Sequence, residues 1–254
     1  MIKVENIRKR FGFKDVLCGV DFEACDGETI VIIGSSGVGK SILLKNIVGL
    51  VKPDAGSVKI DAVDIVKCSP LELGETQKKI GYVFQEAALF DSLDIFDNVA
   101  FGLRTLTSLD EEEIKQRVVH CLSMVGLEDI EHLKPSVLSG GMKKRVGLAR
   151  AIAYQPKYIL YDEPTTGLDP IMSDVISNLI INLKERLNIT SIVVTHDMKS
   201  ACKIADRIIM LYKGNIIFSG TPKETQNSKN EYVRQFVEGS SHGPILVDRT
   251  FKNF

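Results

Sequence analysis

The sequence has little of several features that mark particular classes of protein. Its five cysteines are scattered, odd in number and never spaced C-x-x-C, which argues against a disulfide framework or a zinc site and fits a reducing compartment. No apolar run approaches the roughly 20 residues that a membrane-spanning helix needs. The net charge of -1 lacks the basic excess of nucleic-acid-binding proteins, so we expect no nucleic-acid partner.

The start of the chain and its length narrow the class further. The stretch from Met1 to Asn6 does not resemble a signal peptide. We therefore expect a cytoplasmic protein, or one held at a membrane by a partner that spans it. A chain of 254 residues can bury a substantial core, as one large domain or two small ones.

One glycine-rich stretch lies between the apolar run Ile30 to Ile33 and a second apolar segment, Ile42 to Val48. This order predicts a strand, a turn and a helix. The stretch matches G-x-x-x-x-G-K-[ST], the phosphate-binding loop, with Gly34, Ser35, Ser36, Gly37, Val38, Gly39, Lys40 and Ser41. Glycines let successive backbone N–H groups point at phosphate oxygens, and the helix dipole adds positive potential. We expect Lys40 to reach the β- and γ-phosphates and Ser41 to ligate Mg²⁺.

The sequence predicts three later apolar strands that are each followed by polar residues. These polar residues are Gln85, Asp162 with Glu163, and His196. Open α/β sheets bind their ligands at the carboxyl ends of the strands. Asp162 suits Mg²⁺, directly or through water, and Glu163 suits orienting or deprotonating a water for attack on phosphorus. Gln85 is either a solvated cap or a contact to Mg²⁺ or the attacking water. His196 is either a satisfied loop residue or a contact to the γ-phosphate.

A second glycine-containing turn, Leu138-Ser139-Gly140-Gly141, precedes a helix predicted over Met142 to Ala153. Serine and two glycines at a helix N-terminus make a surface suited to anions, and an ordinary helix cap is the alternative. Around it, from Glu86 to about Arg150, the pattern is helical, which predicts a helical insert in an α/β sheet protein.

Phe11 lies in a predicted loop between two N-terminal strands, where it either stacks on an adenine or belongs to the core.

These motifs together resemble the ABC-type ATPases. The phosphate loop, Gln85, Leu138 to Gly141, Asp162-Glu163, Gly167-Leu168-Asp169 and His196 stand in the order of that family. The resemblance covers residues 1–225 and implies an α/β fold with a RecA-like P-loop NTPase core, an antiparallel β subdomain and a helical subdomain at about 86–150. It also implies a head-to-tail homodimer, in which ATP on one phosphate loop is covered by Ser139, Gly140 and Gly141 of the other copy.

The same resemblance implies individual roles. Phe11 stacks on adenine, Gln85 senses Mg²⁺ and contacts the transport subunit, and Asp169 communicates across the dimer. The catalytic residues that it implies are Lys40, Gln85, Glu163 and His196. The Mg²⁺ ligands that it implies are Ser41, Gln85 and Asp162.

One position departs from the usual L-S-G-G-Q signature, because Met142 stands where glutamine is usual and cannot make the hydrogen bonds of glutamine. This Met, with Ala88-Leu89-Phe90, Phe96 to Ala100 and the tail Val233 to Gly239, resembles the ATPase of the Mla phospholipid transport system. That subfamily implies a membrane permease, an MCE-domain lipid-binding protein and, in many systems, a STAS-domain protein. It also implies a location on the cytoplasmic face of the inner membrane.

Three questions stay open at this stage. Residues 226–254 form a C-terminal extension that, in that subfamily, reaches the neighbouring ATPase subunit; a helix packed on its own domain or a frayed end is the alternative. An importer of amino acids or another small solute is the rival within the family. A soluble ABC protein for DNA repair or translation, or a small-molecule kinase, is the rival outside transport. Soluble ABC proteins of that kind usually have long coiled coils or two cassettes in one chain. A small-molecule kinase does not need the signature Leu138 to Gly141.

Overall fold

The computed structural model describes residues 1–246, so the last part of the predicted C-terminal extension, 247–254, lies outside the described residues. The strands within this range are β1 (Ile2–Phe11), β2 (Lys14–Ala24), β3 (Thr29–Ile33), β4 (Ala55–Ile60), β5 (Val63–Asp64), β6 (Ile80–Val83), β7 (Tyr158–Asp162), β8 (Thr190–Thr195), β9 (Arg207–Tyr212) and β10 (Asn215–Gly220). The α-helices are α1 (Lys40–Ile47), α2 (Pro70–Gln77), α3 (Ile95–Leu106), α4 (Glu111–Met124), α5 (Gly140–Ile152), α6 (Pro170–Leu187), α7 (Met198–Ile204), α8 (Pro222–Gln226) and α9 (Glu231–Glu238).

The central sheet carries the strands whose ends the sequence singled out. Its order is β10-β9-β3-β8-β7-β6, and the five strands from β9 to β6 run parallel. Every residue of β3, β7 and β8 is buried, as expected of parallel strands covered on both faces. Because parallel strands end at the same edge, the phosphate loop after β3 lies beside the ends of β7 and β8.

A second, antiparallel sheet has the order β2-β1-β4-β5 and forms the predicted antiparallel β subdomain. Phe11 is the last residue of β1 and pairs with Lys14, so the loop predicted for it is wrong. The two strands form a long hairpin whose turn contains only Gly12 and Phe13, and Gly12 supplies the positive φ of 57° that the turn uses. Because the turn uses only these two residues, β1 extends as far as Phe11.

Helices α3, α4 and α5 form the helical insert that the sequence predicts between the end of β6 and the start of β7. Asp110 caps α4 with a capping box, and α4 buries one apolar face through Ile114, Val118, Cys121 and Leu122. Helix α5 starts at Gly140, two residues earlier than predicted, because the Ser139 hydroxyl accepts a hydrogen bond from the Met142 N–H and caps it there.

The C-terminal helices pack on the same chain. Val233 of α9 is fully buried in the larger apolar core, and Tyr232, Phe236 and Val237 pack against it. The division at residue 225 falls within α8 and remains a prediction. No helix among residues 1–246 is both long enough and apolar enough to cross a membrane.

Candidate nucleotide site

Two glycines of the phosphate loop occupy positions that no other residue fits. Gly34 has a φ of 152°, and a Cβ there would lie 2.4 Å from the backbone oxygen of Leu211. Gly39 has a φ of 107°, and a Cβ there would lie 2.9 Å from a methyl carbon of Val16. Both positions therefore require glycine. In contrast, a Cβ on Gly37 would meet nothing within 4 Å, because this glycine borders open space.

Lys40 is folded into the loop rather than extended into solvent. Its side chain is only 6% exposed, and Nζ donates to the backbone oxygens of Gly34 at 2.8 Å and Ser35 at 3.2 Å. The same nitrogen lies 3.4 Å from Oε1 of Glu163. Burial lowers the pKa of Lys40, and the Glu163 carboxylate opposes this effect. The loop thus holds a compact cation at the carboxyl edge of the sheet.

Ser41 and Asp162 meet beneath the loop. The Ser41 hydroxyl donates to Oδ1 of Asp162 at 2.7 Å, and the Tyr82 hydroxyl donates to Oδ2 at 3.1 Å. Burial, with a smaller effect from Asp162, raises the pKa of Tyr82, so this phenol stays a proton donor. A hydroxyl and a carboxylate oxygen side by side fit Mg²⁺, which usually takes one or two protein oxygens and completes its shell with phosphate and water. Tyr82 is a site residue that sequence reasoning missed.

The carboxylate of Glu163 is oriented from several sides. Oε2 lies 2.8 Å from Nδ1 of His196 and accepts a hydrogen bond from the Thr166 hydroxyl at 3.0 Å. The backbone of Glu163 is in the left-handed conformation, with a φ of 50°. This conformation costs a non-glycine residue about 1–2 kcal/mol. Its N–H donates to the backbone oxygen of Val194 at 3.0 Å, which ties this unusual turn to β8. The side chain is therefore held in one place, next to Lys40.

One cavity of about 440 Å³ unites most of the predicted site residues. Its lining includes Phe11, Ser36, Gly37, Gly39, Lys40, Ser41, Gln85, Glu163 and His196. Phe11 is 48% exposed at this cavity rather than buried in the core, which favours the stacking role. Gln85 does not end β6 as predicted, because the chain leaves the sheet after Val83 in a turn closed by the Ala87 N–H, which donates to the Phe84 oxygen. Val38 of the phosphate loop does not line this cavity, and its side chain packs against an apolar core.

The signature turn lies outside this cavity. Ser139 and Gly140 are exposed, and neither they nor Gly141 line it. Gly141 packs closely on α6, where a Cβ would lie 2.8 Å from the terminal methyl of Met172. The Met142 side chain is partly buried and packs against the larger core. A methionine is therefore compatible with this position without any hydrogen bond.

Lys144 on α5 is a second residue that sequence reasoning missed. It is buried, and its Nζ lies 3.5 Å from the backbone oxygen of Glu163. Burial lowers its pKa. The cluster Lys143-Lys144-Arg145 has the appearance of a solvated surface patch. Helical spacing was the available signal, because Gly141, Lys144 and Leu148 fall on one buried face of α5.

Comparisons with known proteins indicate the family to which this chain belongs. Residues 17–166 match the family described as ABC transporter. The chain is 40% identical over 244 residues to the probable ribonucleotide transport ATP-binding protein mkl of Mycobacterium leprae, covering 96% of this chain and 70% of mkl. It is 42% identical over 245 residues to the intermembrane phospholipid transport system ATP-binding protein MlaF of Haemophilus influenzae, covering 96% of this chain and 93% of MlaF.

A solved structure shows the same architecture. It is a dimeric ATP-binding cassette in a post-hydrolysis state bound to ADP and Pi, with a TM-score of 0.81 and 36% identity, covering 87% of this chain and 99% of that one. The RecA-like α/β fold with its two subdomains is thereby confirmed. On the match over residues 17–166 and on these relatives, the chain belongs to the ABC transporter family, as an ATP-binding subunit.

Proposed function

We propose that this chain hydrolyses ATP to drive a membrane permease that moves phospholipid between membranes. The ATPase activity and the permease follow from membership of the family. The observation that carries the residue assignments is the meeting of Lys40, Glu163 and His196 at one cavity beside the phosphate loop. The phospholipid cargo is supported by the 42% identity to MlaF, together with the Met142 signature and tail motifs.

The chain's own residues bind the substrate ATP in this proposal. The backbone N–H groups of residues 34–41 and the Lys40 ammonium hold the β- and γ-phosphates, because these donors are fixed before the nucleotide arrives. Phe11 stacks on the adenine at the edge of the cavity. Ser41 and Asp162, with Gln85, would hold Mg²⁺, which when bound neutralises charge on the phosphates.

Glu163 acts as the general base. Its carboxylate takes the proton of the attacking water, while Thr166 and His196 keep the carboxylate in its orientation. His196 also contacts the γ-phosphate. Lys40 stabilises the negative charge that develops on the transferred phosphoryl group, and this electrostatic term is the largest contribution.

Two copies of the chain complete each site. Ser139 and Gly140 are exposed, and none of Ser139, Gly140 and Gly141 lines the cavity of its own chain, so this turn is free to cover the nucleotide of a second copy. Asp169, which caps α6, communicates across that interface. Further proposals are a nucleotide-binding domain over 1–225, an extension over 226–254, MCE-domain and STAS-domain partners, and a place on the cytoplasmic face of the inner membrane.

The cargo is tested on the complex purified from membranes. Phospholipid should co-purify with it, and vesicles that contain phospholipid should stimulate its ATPase activity. The complex carrying Glu163→Gln is the control, because it binds the same lipid without turnover. If the complex contains no phospholipid and vesicles do not change its ATPase activity, the cargo assignment is wrong. The assignment of the chain as an ATPase would be unaffected.

A small-solute transporter is the second candidate, and the similarity to mkl favours it. The same complex, assayed with ribonucleotides other than ATP in place of vesicles, separates the two. Stimulation by a ribonucleotide alone would select this candidate over phospholipid.

A further inference from the structure

The loop that follows Gln85 contains two consecutive residues in a conformation that L-amino acids avoid. Ala87 and Ala88 have φ values of 59° and 48°, in the left-handed region. A side chain at Cβ crowds the backbone in this region, and only glycine adopts it freely. Neither position is glycine, so contacts from elsewhere must hold the two alanines there.

Those contacts come from α5. The guanidinium of Arg150 donates to the backbone oxygen of Ala88 at 2.7 Å and to that of Ala87 at 2.6 Å. The planar fork of an arginine suits two neighbouring acceptors in this way. One turn earlier on α5, Gly147 leaves room for Ala87, since a Cβ there would lie 3.3 Å from the Cβ of Ala87.

The two alanines are connected to the nucleotide cavity through a single turn. The N–H of Ala87 donates to the backbone oxygen of Phe84 at 3.0 Å, which closes the turn that contains Gln85. Gln85 lines the cavity with Lys40 and Glu163. A contact that holds Ala87 in place therefore also holds Gln85 in its position at the cavity.

We infer that Arg150 is a positioning residue for ATP hydrolysis: it holds Ala87 and Ala88 in the left-handed conformation and thereby places Gln85 at the cavity. The inference rests on the proposed function of this cavity as the ATPase site. Helix α5 begins at the signature turn and carries Arg150 in its last turn. The same helix therefore links the surface that covers a second copy's nucleotide to the placement of Gln85.

The test compares Arg150→Met with Arg145→Met in the full chain. Arg145 is a matched control, because it lies on the same helix and donates to the backbone oxygens of Val125 and Gly126 at 3.4 and 2.9 Å, in a different loop. We expect Arg150→Met to lower kcat about tenfold and to change KM for ATP less than about twofold, since a displaced Gln85 affects turnover more than binding. Arg145→Met should leave both near the wild-type values.

Hydrogen exchange supplies a readout that does not depend on activity. In Arg150→Met, the Ala87 amide should exchange about tenfold faster, because the turn that protects it opens more often. Arg145→Met should leave this amide unchanged. Arg150→Lys should lie between the wild type and Arg150→Met, because an ammonium cannot span both oxygens as the guanidinium does.

Adding Ala88→Gly to Arg150→Met tests the conformational origin of the effect. Ala88 is exposed, so the change removes no packing, and glycine adopts the left-handed conformation without help. We expect the double variant to recover about half or more of the lost kcat on a logarithmic scale. A mere loss of stability would not be rescued in this way.

Equal behaviour of the two arginine variants, or no rescue by Ala88→Gly, would overturn the inference. Gln85→Ala is measured in parallel to separate this failure from that of the proposed function. If Gln85→Ala itself keeps wild-type kcat, the role proposed for Gln85 is wrong, and the inference about Arg150 falls with it. If Gln85→Ala loses activity while Arg150→Met does not, only the inference about Arg150 is wrong.

Discussion

The phosphate loop and the signature turn are both glycine-containing turns that precede a helix, and they are built differently. The phosphate loop, 34–41, is folded inward: Lys40 is 6% exposed and its nitrogen lies 3.4 Å from Glu163. The signature turn, 138–141, points outward, with Ser139 and Gly140 exposed. Gly34 and Gly39 have positive φ, whereas Gly140 and Gly141 do not.

Of these two turns, the phosphate loop contacts its neighbouring site residues within the same chain, whereas the signature turn does not. The residues around the phosphate loop come from β7 and β8 of the same sheet and are already in contact with it. Ser139 uses its hydroxyl to cap its own helix and has no contact with the cavity. In the function proposed above, the phosphate loop binds the nucleotide of its own chain and the signature turn covers the nucleotide of a second copy.

The largest effect is expected from a change at Lys40, in the inward-facing turn. Lys40→Ala should reduce ATP turnover on the order of a thousandfold, because it removes the buried cation that stabilises phosphate charge. Steady-state phosphate release measures this loss. Lys45→Ala, further along α1, is the control and should stay within about twofold of the wild type. A Lys40→Ala chain with near wild-type turnover would show that the loop is not the catalytic turn.

A smaller loss is expected from Glu163→Gln. Glutamine keeps the size of the side chain but accepts no proton, so kcat should fall about 100-fold while ATP stays bound. Size-exclusion chromatography with ATP should show a stable dimer, because hydrolysis no longer opens it. Brisk turnover by this variant would refute the assignment of Glu163 as base.

Ser139→Asp, added to Glu163→Gln, changes only the outward-facing signature turn. Aspartate caps a helix as well as serine does, so α5 should remain stable, but its charge opposes the phosphates held by the second copy. ATP should still bind, and the ATP-dependent dimer should be lost. Ser69→Asp is the matched control, because Ser69 is the N-cap of α2. Retention of the dimer in Ser139→Asp would remove Ser139 from the interface.

The smallest expected effects are on stability. Gly39→Ala should lower the free energy of unfolding by about 1–2 kcal/mol or more, because alanine is strained at this φ and its Cβ would contact Val16. Gly140→Ala should lower it by no more than a few tenths of a kcal/mol or raise it by up to about 1 kcal/mol, since the space is open and alanine favours helix. Urea unfolding of both variants measures the difference. Equal losses would mean that the two turns are constrained alike.

Much of the site could be predicted because its parts are local. The phosphate loop is a contiguous motif between an apolar strand and a helix, and the parallel order of strands brings Glu163 and His196 to its edge. The contacts of Tyr82, Thr166 and Lys144 could not be predicted, because each depends on how distant elements approach one another. The predicted strand extends to Gln85, whereas β6 ends at Val83, because an apolar pattern does not show where a turn closes.

The phosphate loop and the order of motifs that indicates the fold family can be recognised in the chain alone, because each motif consists of residues that are neighbours along it. Only the tertiary structure decided that Lys40 meets Glu163, that Arg150 reaches the loop after Gln85, and that the signature turn stays apart from the cavity of its own chain. The physical reason is that these distances are set by the packing of whole strands and helices, which no local pattern specifies.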